Sequence, residues 1–200
     1  MNKFYILFLL LIVSASNAQD KWTPKQAADF QKKLNTEFAD PKESPLMDDD
    51  LKYFKPLEFY PISEKFVVEA QFSKSANEKV FKMKTSSTRL PEYIKYGELH
   101  FTLDGKELKL NVYQNVELIK KPGFEDALFL PFSDETCGKG SYIGGRYIDL
   151  KITKTELILL DFNTAYNPYC AYNHKYSCPI VPLENDLKIA IEAGVKKFHD

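Results

Sequence analysis

The spacing of apolar residues changes once along the chain. Between Trp22 and Phe38, Ala27, Phe30, Leu34 and Phe38 recur every three or four positions, the stripe of a helix. Thr23 suits the N-cap, Pro24 the first helical position, and Gln26 completes a T-x-x-Q capping box. Pro41 ends the pattern. A proline-punctuated connector follows, "SPLMDDDLKYFKPLEFYP", whose Asp48, Asp49 and Asp50 read as a solvated helix start. A calcium loop is excluded there, because the places that need glycine and glutamate hold Tyr53 and Phe59. After Lys65 the period becomes two. Phe66, Val68, Ala70 and Phe72 alternate, then Phe81, Met83 and Thr85, then Leu99, Phe101 and Leu103. Asp104-Gly105 suits a two-residue type I′ turn, and Leu108, Leu110 and Val112 resume the alternation. "DALFLPF", "RYIDLKI", "ELILLDF" and "LKIAIEA" read as further strands. The pattern predicts a mainly β fold: an antiparallel sandwich or barrel of about seven or eight strands, with an N-terminal helix and a long C-terminal loop.

The first eighteen residues stand apart. Lys3 precedes the apolar run Phe4 to Val13, and Ser16 and Ala18 are the small residues of a cleavage site before Gln19. The run is too short to cross a bilayer core of about 30 Å as a helix. The expected organisation is a signal peptide at 1–18, a helix and connector at 19–44, and one β-rich domain at 45–200. The expected location is secreted or periplasmic, with no stable membrane insertion once the signal is removed.

Composition adds little to the fold but narrows the function. Apolar content of 44% and charged content of 28% suit a globular domain. A net charge of -1 offers no basic footprint for nucleic acid. Export changes the reading of the three cysteines. Cys170, His174 and Cys178 are spaced C-x3-H-x3-C, but Pro168 and Pro179 flank the segment and only three ligands are present, so no metal is expected. In an oxidising compartment Cys170 and Cys178 read instead as a disulfide closing a short loop.

Candidate chemistry concentrates in two loops. "CGKGSYIGGR" holds Gly138, Gly140, Gly144 and Gly145 beside Lys139 and Arg146, and could cradle an anion on its backbone N–H groups. It matches neither a P-loop nor a dinucleotide fingerprint. No G-x-S-x-G or H-E-x-x-H occurs. Asp134, Glu135, Asp149 and Asp161 lie near strand ends, where a pair could do acid–base work.

From Gly123 onward the runs "ALFLPFSDETCGKGSYIGGRYIDL" and "LDFNTAYNPYCAYNHKYSCPIVPLENDLKIAIEAG" carry, in order, F-x-D, T-x-G, G-G-R-Y, D-F-N-x-A-Y-N-P, C-A-Y, C-P and E-N-x-L. In this the chain resembles domain-of-unknown-function family 1684, a bacterial family without an established activity. Cys137 stands where that family commonly has serine, Val181 where it has proline and Val195 where it has glutamate, and His174 lies outside its motif. The resemblance implies a set of polar site residues: Asp134, Tyr142, Arg146, Asp161, Asn163, Tyr166, Asn167, Glu184 and Asn185. The leading expectation is a domain binding an unknown small molecule, anionic or polyhydroxylated, at Arg146, Gly144 and Gly145 with Tyr142, Tyr166 and the asparagines as walls. A hydrolase using Asp134 or Asp161 with Arg146 is the rival, and a structural or interaction protein the third reading. None of the three calls for a cofactor.

Overall fold

The computed structural model describes residues 22–199, so the expected signal peptide and its cleavage point lie outside the described residues. The helix forms where the period of three and four predicts it: α1 spans Pro24–Ala39, with Pro24 in its first turn. Gln26 closes the capping box by accepting the Thr23 N–H at 3.0 Å. A five-residue helix, α2 (Asp48–Lys52), starts on the aspartate triplet.

The β part is one antiparallel sheet of seven strands curled into a half-barrel. The strands are β1 (Val67–Lys74), β2 (Phe81–Lys82), β3 (Glu92–Leu103), β4 (Lys106–Asn115), β5 (Ala127–Phe132), β6 (Arg146–Lys151) and β7 (Leu157–Asp161). Their order is β6-β5-β4-β3-β1-β7, with β2 paired to β3. The β3–β4 hairpin turns at Asp104 (φ 51°) and Gly105 (φ 72°), the left-handed pair that a type I′ turn requires.

The concave face is the main core. Val68 and Ala70, Leu99, Phe101 and Leu103, Leu110 and Val112, Leu128, Leu130 and Phe132, and Ile158 and Leu160 all point inward and are buried. Each such side chain, when fully buried, contributes roughly 1.5–3 kcal/mol. β3 breaks its own alternation. Tyr93 pairs with Asn115 and Lys95 with Tyr113, but past the bulge Gly97 pairs with Val112 and Leu99 with Leu110. The extra residue reverses parity. Leu99 and Leu103 therefore face the core while Tyr93 joins the opposite, convex face.

Two predicted strands differ. "KVFKMKT" forms a strand only over Phe81–Lys82, with an isolated bridge from Thr85 to Pro179, and Met83 and Thr85 are buried as the alternation requires. "LKIAIEA" is not a strand. Leu187, Ile189, Ile191 and Ala193 do alternate inward and cover the core. Their backbone finds partners elsewhere: Leu187 N–H donates to Ser133 O, Ile191 N–H to the Asp134 carboxylate, and the carbonyls of Ile191 and Ala193 accept from the Arg146 guanidinium. Backbone bonds to Ser133 and Glu135 hold the segment's first half, and the side chains of Asp134 and Arg146 stand in for a neighbouring strand beyond it.

Candidate functional site

The two charges expected to meet a ligand meet each other. Arg146 opens β6 on its inward side, and Asp134 follows β5 at the same end of the sheet. Arg146 Nη2 lies 2.7 Å from Asp134 Oδ2, and neither side chain has any exposed surface. The same nitrogen donates to Ile191 O at 2.8 Å, and Nη1 donates to Ala193 O. Asp134 Oδ1 accepts from the backbone of Thr136 (2.7 Å) and of Ile191 (3.2 Å). The guanidinium plane lies near the rings of Phe132 and Tyr60. The set is a buried, hydrogen-bonded ion pair that pins the core cover to the sheet.

The glycine loop is likewise turned inward on itself. The N–H groups of Lys139, Gly140 and Ser141 all donate to Thr136 O, that of Gly138 to Ser141 O, and that of Gly145 to Tyr142 O. Gly145 has φ 84°, and a Cβ there would stand 2.5 Å from Phe132 O, so glycine is needed for the turn itself. Gly144 is exposed on the same turn.

The asparagines act as clamps. Asn163 accepts from Ser63 N–H (2.9 Å) and donates to Ser63 O (3.0 Å). Asn185 accepts from Asn111 N–H (2.8 Å) and donates to Asn111 O and Pro131 O. Asn167 donates to Lys196 O (2.9 Å) and Tyr172 Oη (3.2 Å). Asp161 caps the turn after β7, accepting from Asn163 and from Trp22 Nε1 at 2.7 Å. Glu184 is exposed. Asp161 shares no contact with the Arg146–Asp134 pair.

Of the expected ligand residues, Tyr166 alone lines the pocket that combines a concave shape with aromatic walls. This pocket, of about 370 Å³, opens between α1, the convex face of the sheet and the loop after β7. Tyr93, Phe129 and Tyr147 come from β3, β5 and β6, Phe30 from α1, and Tyr166 and Tyr169 from the loop. The bulge in β3 supplies Tyr93. An isolated bridge, Tyr147 N–H to Tyr166 O at 2.9 Å and the reverse bond at 3.0 Å, sets Tyr166 beside β6. The rings interlock edge to face: Phe129–Tyr147 at 4.7 Å and Tyr147–Tyr166 at 5.9 Å.

The pocket has one unbalanced charge. Lys33 and Glu37 on α1 form an ion pair at 3.6 Å. Asp149 faces Phe129 directly across β5 and β6 and accepts the Tyr166 hydroxyl at 2.8 Å. The surrounding protein raises the Asp149 pKa by desolvation, and the Tyr166 hydrogen bond offsets part of that rise. Burial raises the hydroxyls of Tyr147 and Tyr166, so both stay neutral donors. A larger depression, about 650 Å³, lies near Tyr60 and Glu58, but its walls mix glutamates with lysines and Lys196 pairs with Glu58 at 3.6 Å. Its three glutamates and three lysines balance, and Tyr60 and Phe198 are the aromatic residues of its wall.

Cys178 lines the aromatic pocket. The expected Cys170–Cys178 bond is not formed: both are free thiols, although Cys170 N–H lies 3.2 Å from Cys178 Sγ. The fold supplies proximity, and oxidation is a separate chemical step. Cys137 is also free and lies in the glycine turn. Tyr142 packs beside Cys170, its hydroxyl pushed up to about 12 by burial first and the thiol second. Among the described residues no three histidine, cysteine or acidic side chains converge as metal ligands.

Tyr93, Phe129 and Tyr147 escaped the sequence reading as site residues. One signal was available: Phe129 and Tyr147 are aromatic on strands whose other face is already apolar, so both faces of β5 and β6 had to be covered.

Residues 52–196 match the family described as "Protein of unknown function (DUF1684)". The chain is also similar to an uncharacterised protein of Haloarcula marismortui solved by solution NMR. The two are 30% identical with a TM-score of 0.67, over 86% of this chain and 92% of that one. No curated protein matches the chain at a significant level.

Proposed function

This chain belongs to the family of unknown function DUF1684, and from its own geometry we propose that it is an exported small-molecule-binding domain whose ligand is a compact organic cation held in the aromatic pocket. The observation that carries this reading is one cavity walled by Phe30, Tyr93, Phe129, Tyr147, Tyr166 and Tyr169 with Asp149 as its unbalanced charge. Aromatic faces attract cations through their quadrupoles, and a desolvated cation gains most. The volume falls in the range of small-ligand sites. A cation beside Asp149 would offset, by its own charge, the desolvation that raises the carboxyl's pKa. The anionic ligand expected at Arg146 would meet a fully buried guanidinium whose Nη2 is already paired, and the amides of Gly138, Lys139, Gly140, Ser141 and Gly145 already donate within the loop. A hydrolase built on Asp134 has no base a substrate can reach, since that carboxylate has no exposed surface. Secretion or periplasmic export rests on the leader at 1–18, and N-terminal sequencing of exported protein should begin at Gln19.

The test is a thermal-shift and calorimetry series with choline, its neutral carbon analogue, sugars and carboxylates. Choline should bind about tenfold more tightly than the neutral analogue. Tyr147→Ala should abolish the shift while the protein remains folded by circular dichroism. Stabilisation by sugars or carboxylates alone would overturn the cation assignment. No shift with any compound would favour a structural role in which the pocket has no small-molecule ligand.

A further inference from the structure

One cluster of nucleophilic side chains plays no part in cation binding. Cys170 sits in the short 3-10 turn Tyr169–Ala171, and Cys178 lies eight positions on, where the loop returns to the sheet. The Cys170 N–H donates to Cys178 Sγ at 3.2 Å, which sets the two residues side by side, and Cys178, Ser86 and Tyr142 are the neighbours that favour a Cys170 thiolate. Both residues are partly exposed, and Cys178 opens onto the pocket. Cys137 has a different setting: its sulfur takes the Asp134 N–H at 3.4 Å and the Ser141 hydroxyl at 3.9 Å.

We infer that Cys170 and Cys178 form a thiol–disulfide exchange site for low-molecular-weight disulfides, in which Cys170 attacks and Cys178 resolves. The Cys170 thiolate displaces one thiolate from the incoming disulfide; the small molecule's S–S bond breaks and a mixed disulfide forms at Cys170 Sγ. The departing thiolate takes a proton from water. Cys178 loses its proton to solvent and attacks Cys170 Sγ, which expels the second thiolate and closes the Cys170–Cys178 bond. Two electrons pass from the protein to the small disulfide, which leaves as two thiols.

The donors around the pair assign the roles. The Cys178 thiol, first among them, lowers Cys170 to about 6, whereas the same bond pushes Cys178 upward. At neutral pH the nucleophile is therefore the Cys170 thiolate. Once Cys170 is capped, no thiolate remains to hold the Cys178 proton, and the second thiol is released to act.

The test starts from purified protein, reduced and desalted, then exposed to oxidised glutathione and read by intact mass and peptide mapping. Wild type should lose two hydrogens and yield a Cys170–Cys178 linked peptide. Cys178→Ser should retain one glutathione on Cys170, and Cys170→Ser should acquire none at Cys178 in the same time. An absence of adduct on Cys178→Ser, equal reaction of Cys170→Ser, or preferential modification of Cys137 would each overturn the assignment. If either variant fails to fold, the pH profile of wild-type alkylation decides. Cys170 should react with a midpoint near pH 6; a midpoint near the unperturbed thiol value of about 8.5 sinks the proposal. None of these readouts depends on what occupies the pocket, so the two readings fail separately.

Discussion

Arg146 shows how one side chain can look like a site and act as a fastener. Its partners are a carboxylate and carbonyls from 45 and 47 residues downstream, all buried. Removing it strands Asp134 without a counter-charge. Arg146→Met is expected to cost about 3–5 kcal/mol in urea denaturation. Arg146→Lys should recover less than half, because an ammonium cannot span the carboxylate and both carbonyls. Ligand affinity per folded molecule should stay unchanged in both variants. Asp149 is the opposite case, a surface carboxylate whose charge the surrounding protein disfavours. Its pKa is raised in the folded state, so its carboxylate is penalised. The associated stability is present below the unfolded value of 3.8 and lost as pH rises through the folded one. Asp149→Asn should therefore flatten this decline and stabilise the ligand-free protein at neutral pH, while choline binding disappears. Urea titrations from acid to neutral pH, with and without choline, read both effects.

At the scale of elements, the periods of 3.6 and 2 made α1 and the hairpin legible, with the Thr23 cap and the Asp104-Gly105 turn in place. The bulge near Lys95 was not legible, because an inserted residue changes the face of everything before it without changing the local pattern. That is why Tyr93 was missed. The asparagine motifs were legible as important but not as to why. Asn185 bonds three backbone groups, and only burial separates a clamp from a ligand contact. On the strands' exposed face, Glu98 gathers Lys95 (2.6 Å) and Lys109 (3.2 Å). The Lys95 hydrogen bond foremost lowers Glu98 to about 2. Its stabilisation is present above the unfolded value of 4.5 and is lost as pH falls toward 2. Glu98→Gln should remove that segment of the acid-unfolding curve, with an effect at neutral pH of about 0.2–1 kcal/mol.

For the whole molecule, a second cluster joins the helix to the half-barrel. Phe38 packs edge to face on Tyr172 at 4.7 Å and touches Phe54 and Tyr169. Leu34, Leu46, Leu57 and Val195 complete the contact. Phe38→Ala is expected to cost about 3–5 kcal/mol by chemical denaturation. It should also weaken choline binding, since α1 supplies Phe30 to the pocket. The separation of the two clusters was not legible in sequence: both draw on the same kinds of apolar side chain, and only the folded arrangement decides which cluster each one joins.

The dependence of Arg146 on the carbonyls of Ile191 and Ala193 also governs when the chain can fold. The β3–β4 hairpin can form as soon as it is made. Asp134 precedes Arg146, but the carbonyls that complete the guanidinium's bonds and the segment that covers the core follow only some 45 positions later. Long-range closure of this kind delays compaction. A nascent chain would therefore stay loose until its last tenth or so has been made.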